Sequence, residues 1–190
     1  MLDIDYIFSK YGIPKGIIHI AGQFIYVRSV YYNWGLSNIL WIEPNPFFYD
    51  LNLQYISQSE NEKLLNYNID SQNRDTFITY NINSDSQQRR IESKKLTNII
   101  DDISIDRNNY DFLNIGPQVN TNSLEGCEEE LSLFKFICVD VTQNVESNYS
   151  DLKFIDNYLK KFRFKRVELV IQNNIGQAFY IKKRKYTKKL

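Results

Sequence analysis

The stretch GIIHIAGQFIYVRSVYYNWGLSNILWIEPNP, residues 16–46, decides how the rest of the chain is read. It opens on Gly16-Ile17-Ile18-His19-Ile20, a β-branched run bounded by Pro14 and by Ala21-Gly22, which reads as a buried strand. From Ile25 to Trp34, apolar and aromatic residues recur at helical spacing, and Gly35 supplies a stop after the last turn. Asn38-Ile39-Leu40-Trp41-Ile42-Glu43 is a second apolar run closed by Pro44-Asn45-Pro46, and Pro46 can sit in the first turn of a helix reaching about Ser57. Strand, helix, strand and helix in so short a span mark the start of a parallel α/β sheet.

The pattern continues downstream. Ser57 to Arg90 is polar, with two alternating segments, Leu64 to Ile69 and Thr76 to Ile82, around Asp70-Ser71-Gln72-Asn73. That is a strand, a turn and a strand, or else a loop. Ile91 to Ile105 reads as helical or mixed, and Tyr110 to Ile115 as a buried strand stopped by Gly116-Pro117. A helix is expected near Asn122 to Leu131 and a strand at Phe134 to Val141. Asp151 to Phe162 places Leu152, Ile155, Leu159 and Phe162 on one helical face. Two strands in tandem, Arg166 to Gln172 and Ala178 to Lys182, predict an antiparallel hairpin at one sheet edge. The whole is one α/β domain over residues 1–190, a three-layer sandwich with its core at about 14–183 and a basic tail at 182–190.

With 43% hydrophobic and 24% charged residues, the 190-residue chain has the composition of a folded domain. Lys plus Arg and Asp plus Glu both number 23, which excludes a general attraction to nucleic acid or anionic membrane. Cys127 and Cys138 with a single histidine are too few for a disulfide framework or a zinc site, so no metal is expected. No apolar run is long enough to cross a bilayer, and Met1-Leu2-Asp3-Ile4-Asp5 does not open like a signal peptide, so an intracellular, cytoplasmic protein without a membrane partner is expected. The chain has 24 Ile and 21 Asn against two Ala, the residues of A/T-rich codons. That points to an A/T-rich genome such as a large DNA virus, a protist or a low-GC bacterium; a viral product would reside in the host cytoplasm or the virion.

Four segments then carry a resemblance. They are Gly16 to Ile20, Asn38 to Pro46, Tyr110 to Ile115, and Ile155 to Leu159 taken with Phe164 to Glu168 and Ala178 to Lys183. Their order and wording resemble the FkbM-type methyltransferases, S-adenosylmethionine-dependent O-methyltransferases of the class I Rossmann-like fold, over roughly Gly16 to Lys183. The resemblance implies a mostly parallel sheet with an antiparallel C-terminal hairpin. It implies S-adenosylmethionine as cofactor if the chain is active.

Residue by residue, the motifs depart from that family. Its glycine-rich turn after the first strand reads here Ala21-Gly22-Gln23-Phe24-Ile25-Tyr26-Val27, leaving Gly22 as a shifted glycine. Glu43 stands where an acid takes hydrogen bonds from the cofactor ribose, although a carboxylate there also suits the opening of the helix at Pro46. In the loop after Ile115 the family acid is Gly116 and the family glycine is Val119, with only Gln118 in place. Asp140 keeps an acid, shorter than the usual Glu, and Asn174-Ile175-Gly176-Gln177 replaces an aromatic and an acid flanked by glycines. If the chain is active, Gln118 and Asp140 are the catalytic candidates and Gly22 and Glu43 the cofactor-binding ones.

His19, inside the first strand, is expected to pack beside a hydrogen-bond partner rather than to catalyse. The acidic runs Asp101-Asp102 and Glu128-Glu129-Glu130 are expected to be solvated faces. The basic residues Lys182, Lys183, Arg184, Lys185, Lys188 and Lys189 could hold phosphates of a nucleic acid. The aromatics Phe24, Tyr26, Tyr31, Tyr32, Trp34, Phe47, Phe48 and Tyr49 exceed what a small core needs and point to a protein partner or a homo-oligomer. Altered chemistry on a retained core predicts a degenerate methyltransferase-fold protein, catalytically inactive, with no cofactor, serving as a binding or scaffold module. The alternatives are an active O-methyltransferase on a sugar or similar small acceptor, and a nucleic-acid-binding use of the fold through the tail.

Overall fold

A computed structural model describes residues 2–21, 27–56, 60–82, 84–116, 121–142 and 151–183. The chain enters through a helix that the sequence pattern did not announce. Asp3 accepts the Tyr6 N–H at 2.8 Å and opens α1 (Ile4–Tyr11), which buries Ile7 and Phe8. This helix lies upstream of the point where the core was expected to begin.

The expected alternation follows, with β1 (Gly16–Ile20), α2 (Arg28–Asn33), β2 (Asn38–Ile42) and α3 (Pro46–Leu53). Asn45 caps α3 by accepting the Phe47 N–H at 3.0 Å, and Pro46 occupies the first turn. After α3 come β3 (Glu62–Leu65), β4 (Asn68–Ile69), β5 (Arg74–Ile82), β6 (Asp85–Lys94) and α4 (Leu96–Asp102). The remainder is β7 (Phe112–Ile115), α5 (Thr121–Gly126), β8 (Phe136–Thr142), α6 (Leu152–Lys161), β9 (Phe164–Gln172) and β10 (Ile175–Lys182).

Seven strands form one sheet in the order β3-β2-β1-β7-β8-β10-β9, parallel except for β10, which runs antiparallel to both β8 and β9. The closing hairpin turns through Asn173 and Asn174 with φ of 52° and 65°, the paired left-handed geometry that asparagine tolerates well. Expectation and structure agree on this sheet. The segment expected as one strand at Leu64 to Ile69 is instead divided: β3 joins the large sheet, while β4 joins a three-stranded sheet ordered β4-β6-β5. Between them the Asn66 amide donates to the Glu43 carbonyl at 2.7 Å, so the chain leaves β2 although its alternation runs on. The stretch read as helical or mixed begins as the end of β6 and turns helical only at Leu96. The outer residues of β6, Asp85 to Arg90, are exposed, which leaves no apolar period to read. The helix expected near Asn122 to Leu131 ends at Gly126 and is followed by a 3-10 turn at Glu128–Glu130.

Each face of the large sheet carries its own apolar layer. One gathers Ile18, Ile20, Leu40, Leu113, Ile115 and Ile137 with side chains of α4, α5 and α6. The other gathers Ile17, Ile39, Trp41, Phe112, Phe136 and Phe179 with side chains of α1 and α2. Trp41 and Ile115 are buried sheet residues, as expected.

Candidate functional site

Parallel strands carry their C-terminal ends to one edge, so Ala21, Glu43 and Gly116 lie together at the ends of β1, β2 and β7. The Ala21 N–H donates to the Ile42 carbonyl and the Gly116 N–H to the Ile20 carbonyl, both at 2.8 Å. Ala21 has φ of 56°, the left-handed conformation that a glycine adopts freely. The backbone geometry of the glycine turn thus begins on an alanine. Gly22 and the rest of that turn through Tyr26 lie outside the described residues, as does Gln118.

Gly116 is the informative position. A Cβ built on it would overlap the Ala21 carbonyl oxygen and sit 2.9 Å from that carbonyl carbon and 3.2 Å from the Ile20 oxygen. The backbones of β1 and β7 meet at this position. No side chain fits there without moving a strand end.

Glu43 is 3% exposed, and its Oε1 accepts the Asn45 N–H at 2.8 Å. The carboxylate braces the loop into α3, one step before the cap, which is Asn45 rather than Glu43. Asp140, on β8, pairs in register with Gln177 on β10, whose Nε2 donates to Asp140 Oδ1 at 3.0 Å. Burial pushes the Asp140 carboxyl up to about 6.

A polar row crosses the sheet beneath this edge. His19 and Asn114 face each other in register. The Asn114 amide donates to the Tyr31 hydroxyl oxygen, and the Tyr31 hydroxyl shares a hydrogen bond with His19 Nδ1, both at 2.8 Å. Burial pushes His19 down to about 3, so it stays neutral, and it stacks on Trp41 at 5.2 Å. It is a packed histidine with a partner, as expected.

Sequence reasoning missed Glu62. This buried carboxylate takes a two-point contact from Arg28, with Nε at 2.8 Å and Nη2 at 2.7 Å, and further bonds from the Tyr32 hydroxyl at 2.9 Å and Trp41 Nε1 at 3.2 Å. Burial alone would raise its pKa, but the hydrogen bonds from Arg28, Trp41 and Tyr32 outweigh that and hold it below the ordinary carboxylate range. The cluster fastens the start of α2 to β3.

The basic tail is described only at its root. Lys182 turns its ammonium inward, donating to the Leu131 carbonyl at 2.9 Å and the Ser132 carbonyl at 2.7 Å, over the Phe164 ring. Lys183 is exposed, while Arg184, Lys185, Lys188 and Lys189 lie outside the described residues. The acidic runs, expected to be solvated faces, are engaged throughout: Asp101 and Glu130 pair with Arg107, Asp102 with Lys94 and Glu129 with Lys95, Glu128 accepts the Tyr158 hydroxyl, and Glu130 is buried. Among the described residues no group of three ligand-type side chains could hold a metal, and no helix is long and apolar enough to cross a membrane.

No family model and no curated protein matches the sequence. Solved structures do. TrmK of M. capricolum, determined with S-adenosyl-homocysteine, aligns at a TM-score of 0.60 with 10% identity, over 100% of this chain and 71% of that one. An uncharacterised protein of Listeria monocytogenes aligns at 0.58 with 10% identity, over 97% and 69%. The 1,6-didemethyltoxoflavin-N1-methyltransferase of Burkholderia thailandensis aligns at 0.51 with 8% identity, over 95% and 76%. The chain therefore has the Rossmann-like methyltransferase fold, and its structural neighbours include class I S-adenosylmethionine-dependent enzymes.

Proposed function

We propose that this chain is a degenerate methyltransferase-fold protein, related to the FkbM type, that does not transfer methyl groups and acts as a binding module. The observation that carries this reading is Gly116, where a side chain of any kind would collide with the Ala21 carbonyl. An acid cannot be restored there by substitution alone. The described residues also fit S-adenosylmethionine poorly. Its ribose hydroxyls need a carboxylate that faces them, whereas Glu43 is 3% exposed with Oε1 bonded to the Asn45 N–H. Binding to a protein partner is supported by aromatics left at the surface, with Tyr32 at 43% and Phe47 at 37% exposure. Tyr31 and Trp34, also counted as anchors from the sequence, instead belong to the apolar layer with Phe8.

Calorimetric titration of the purified chain with S-adenosylmethionine and with S-adenosyl-homocysteine tests the reading. No saturable binding of either is the expected result. Saturable binding that Glu43→Ala abolishes, with methyl transfer to any acceptor, would overturn it.

A further inference from the structure

A cleft of about 390 Å³ opens on the α1/α2 face of the sheet, between the start of α1, α2, and strands β7, β8 and β10. Ala21, Glu43 and Gly116 are not among its described lining residues, although Asn114 and Gln177 of the neighbouring polar groups are. Its volume falls in the range of small-molecule sites.

The charge of its wall is one-sided. Asn114 spends one of its two amide N–H groups on Tyr31, whose hydroxyl shares a hydrogen bond with His19 Nδ1. Gln177 spends one of its two amide N–H groups on Asp140, and the Trp34 indole N–H goes to Asp5 Oδ1 at 2.8 Å. Each amide keeps its second N–H, but every charged group left for an occupant is an acceptor: the carboxylates of Asp3 and Asp5, both exposed at the start of α1, beside Asn114 Oδ1 and Gln177 Oε1. Cys138 adds a thiol that burial keeps protonated, a weak donor at most. No Lys, Arg or His is among the described lining residues, and the rest of the wall is apolar or aromatic, including Phe112 and Trp34. An anion would meet two carboxylates without a counter-charge. A neutral apolar molecule would leave the amide oxygens unpaired. A cation carrying several N–H donors satisfies both, and the aromatic walls favour it further.

We propose that this cleft binds a small organic ammonium with an apolar or aromatic body, its N–H groups on the acceptor set and its body against Phe112 and Trp34. The proposal uses none of Ala21, Glu43 and Gly116, on which the reading above rests, so the two can fail separately.

Titration of the full chain with 2-phenylethylammonium chloride, 2-phenylethanol and 3-phenylpropanoate tests the proposal. The ammonium should bind saturably, the alcohol about tenfold more weakly or worse, and the carboxylate not at all. Asp5→Asn keeps an acceptor for the Trp34 N–H but removes a charge, and should weaken the ammonium about fivefold or more while circular dichroism stays unchanged. Added salt should weaken the ammonium and leave the alcohol alone. The proposal is overturned if the ammonium does not saturate, if the alcohol binds as well as the ammonium, or if Asp5→Asn leaves ammonium binding unchanged.

Discussion

Replacing Asp140 by Asn should stabilise the protein at neutral pH and expose an acid sensitivity that the wild type conceals. Burial lifts the Asp140 carboxyl from 3.8 to about 6, so between those values the folded protein holds a proton that the unfolded chain has released. The stability this provides is complete below pH 3.8, falls as pH rises through the window and is gone above about 6. A gap of about two pH units, at about 1.4 kcal/mol each, is worth about 3 kcal/mol. That is the cost of holding the charged form between β8 and β10 at neutral pH. An amide of the same shape has no charge and can still accept the Gln177 N–H, so Asp140→Asn should gain about 1–3 kcal/mol at pH 7.

His19 works in the opposite sense. Burial lowers it from 6.5 to about 3, so the stability it contributes is complete above 6.5 and is lost as pH falls toward 3. Between 3.8 and 6 the two slopes are each about 1.4 kcal/mol per pH unit and of opposite sign. The two slopes therefore cancel in the wild type, whereas the variant, keeping the His19 slope without its counterweight, should lose about 3 kcal/mol more than the wild type. Urea unfolding of both proteins in steps from about pH 4 to about pH 7 measures this directly. A variant less stable than wild type at pH 7, or one with the same pH profile, would refute the reasoning.

Other substitutions probe the frame of the site. Glu62→Ala leaves the Arg28 guanidinium without its two-point partner and should cost about 3–5 kcal/mol in chemical unfolding, with Glu62→Gln costing less. Gly116→Ala forces a methyl group against the Ala21 carbonyl and should cost about 1–3 kcal/mol, read as a lower thermal midpoint. Trp41→Ala removes a buried ring and a bond to Glu62 and should cost about 3–5 kcal/mol by the same measurement. Phe77, 61% exposed on β5, should tolerate Ser within about 0.5 kcal/mol, so a loss of partner binding in Phe77→Ser would report an interface rather than unfolding.

What the sequence made legible follows from the range of the forces involved. Strands buried on both faces leave continuous apolar runs, and Ile17 to Ile20 and Ile39 to Ile42 were readable for that reason. The α6 stripe is equally local, a period of apolar residues along one helix, whereas the Asn173-Asn174 turn was not read from the sequence. The paired strands β5 and β6 were half legible: β5 alternates because one face is half-buried, whereas the outer part of β6 is exposed and has no pattern to offer. The site lies at the far end of this scale. Glu62 meets Arg28 across 34 residues of chain and Gln177 meets Asp140 across 37, and no spacing rule connects such positions. Gly116 shows the difference most sharply. In the sequence it is an acid exchanged for glycine, a change that one substitution could reverse. In the fold it is the residue that lets the ends of β1 and β7 touch, a close approach that no spacing in the sequence reveals.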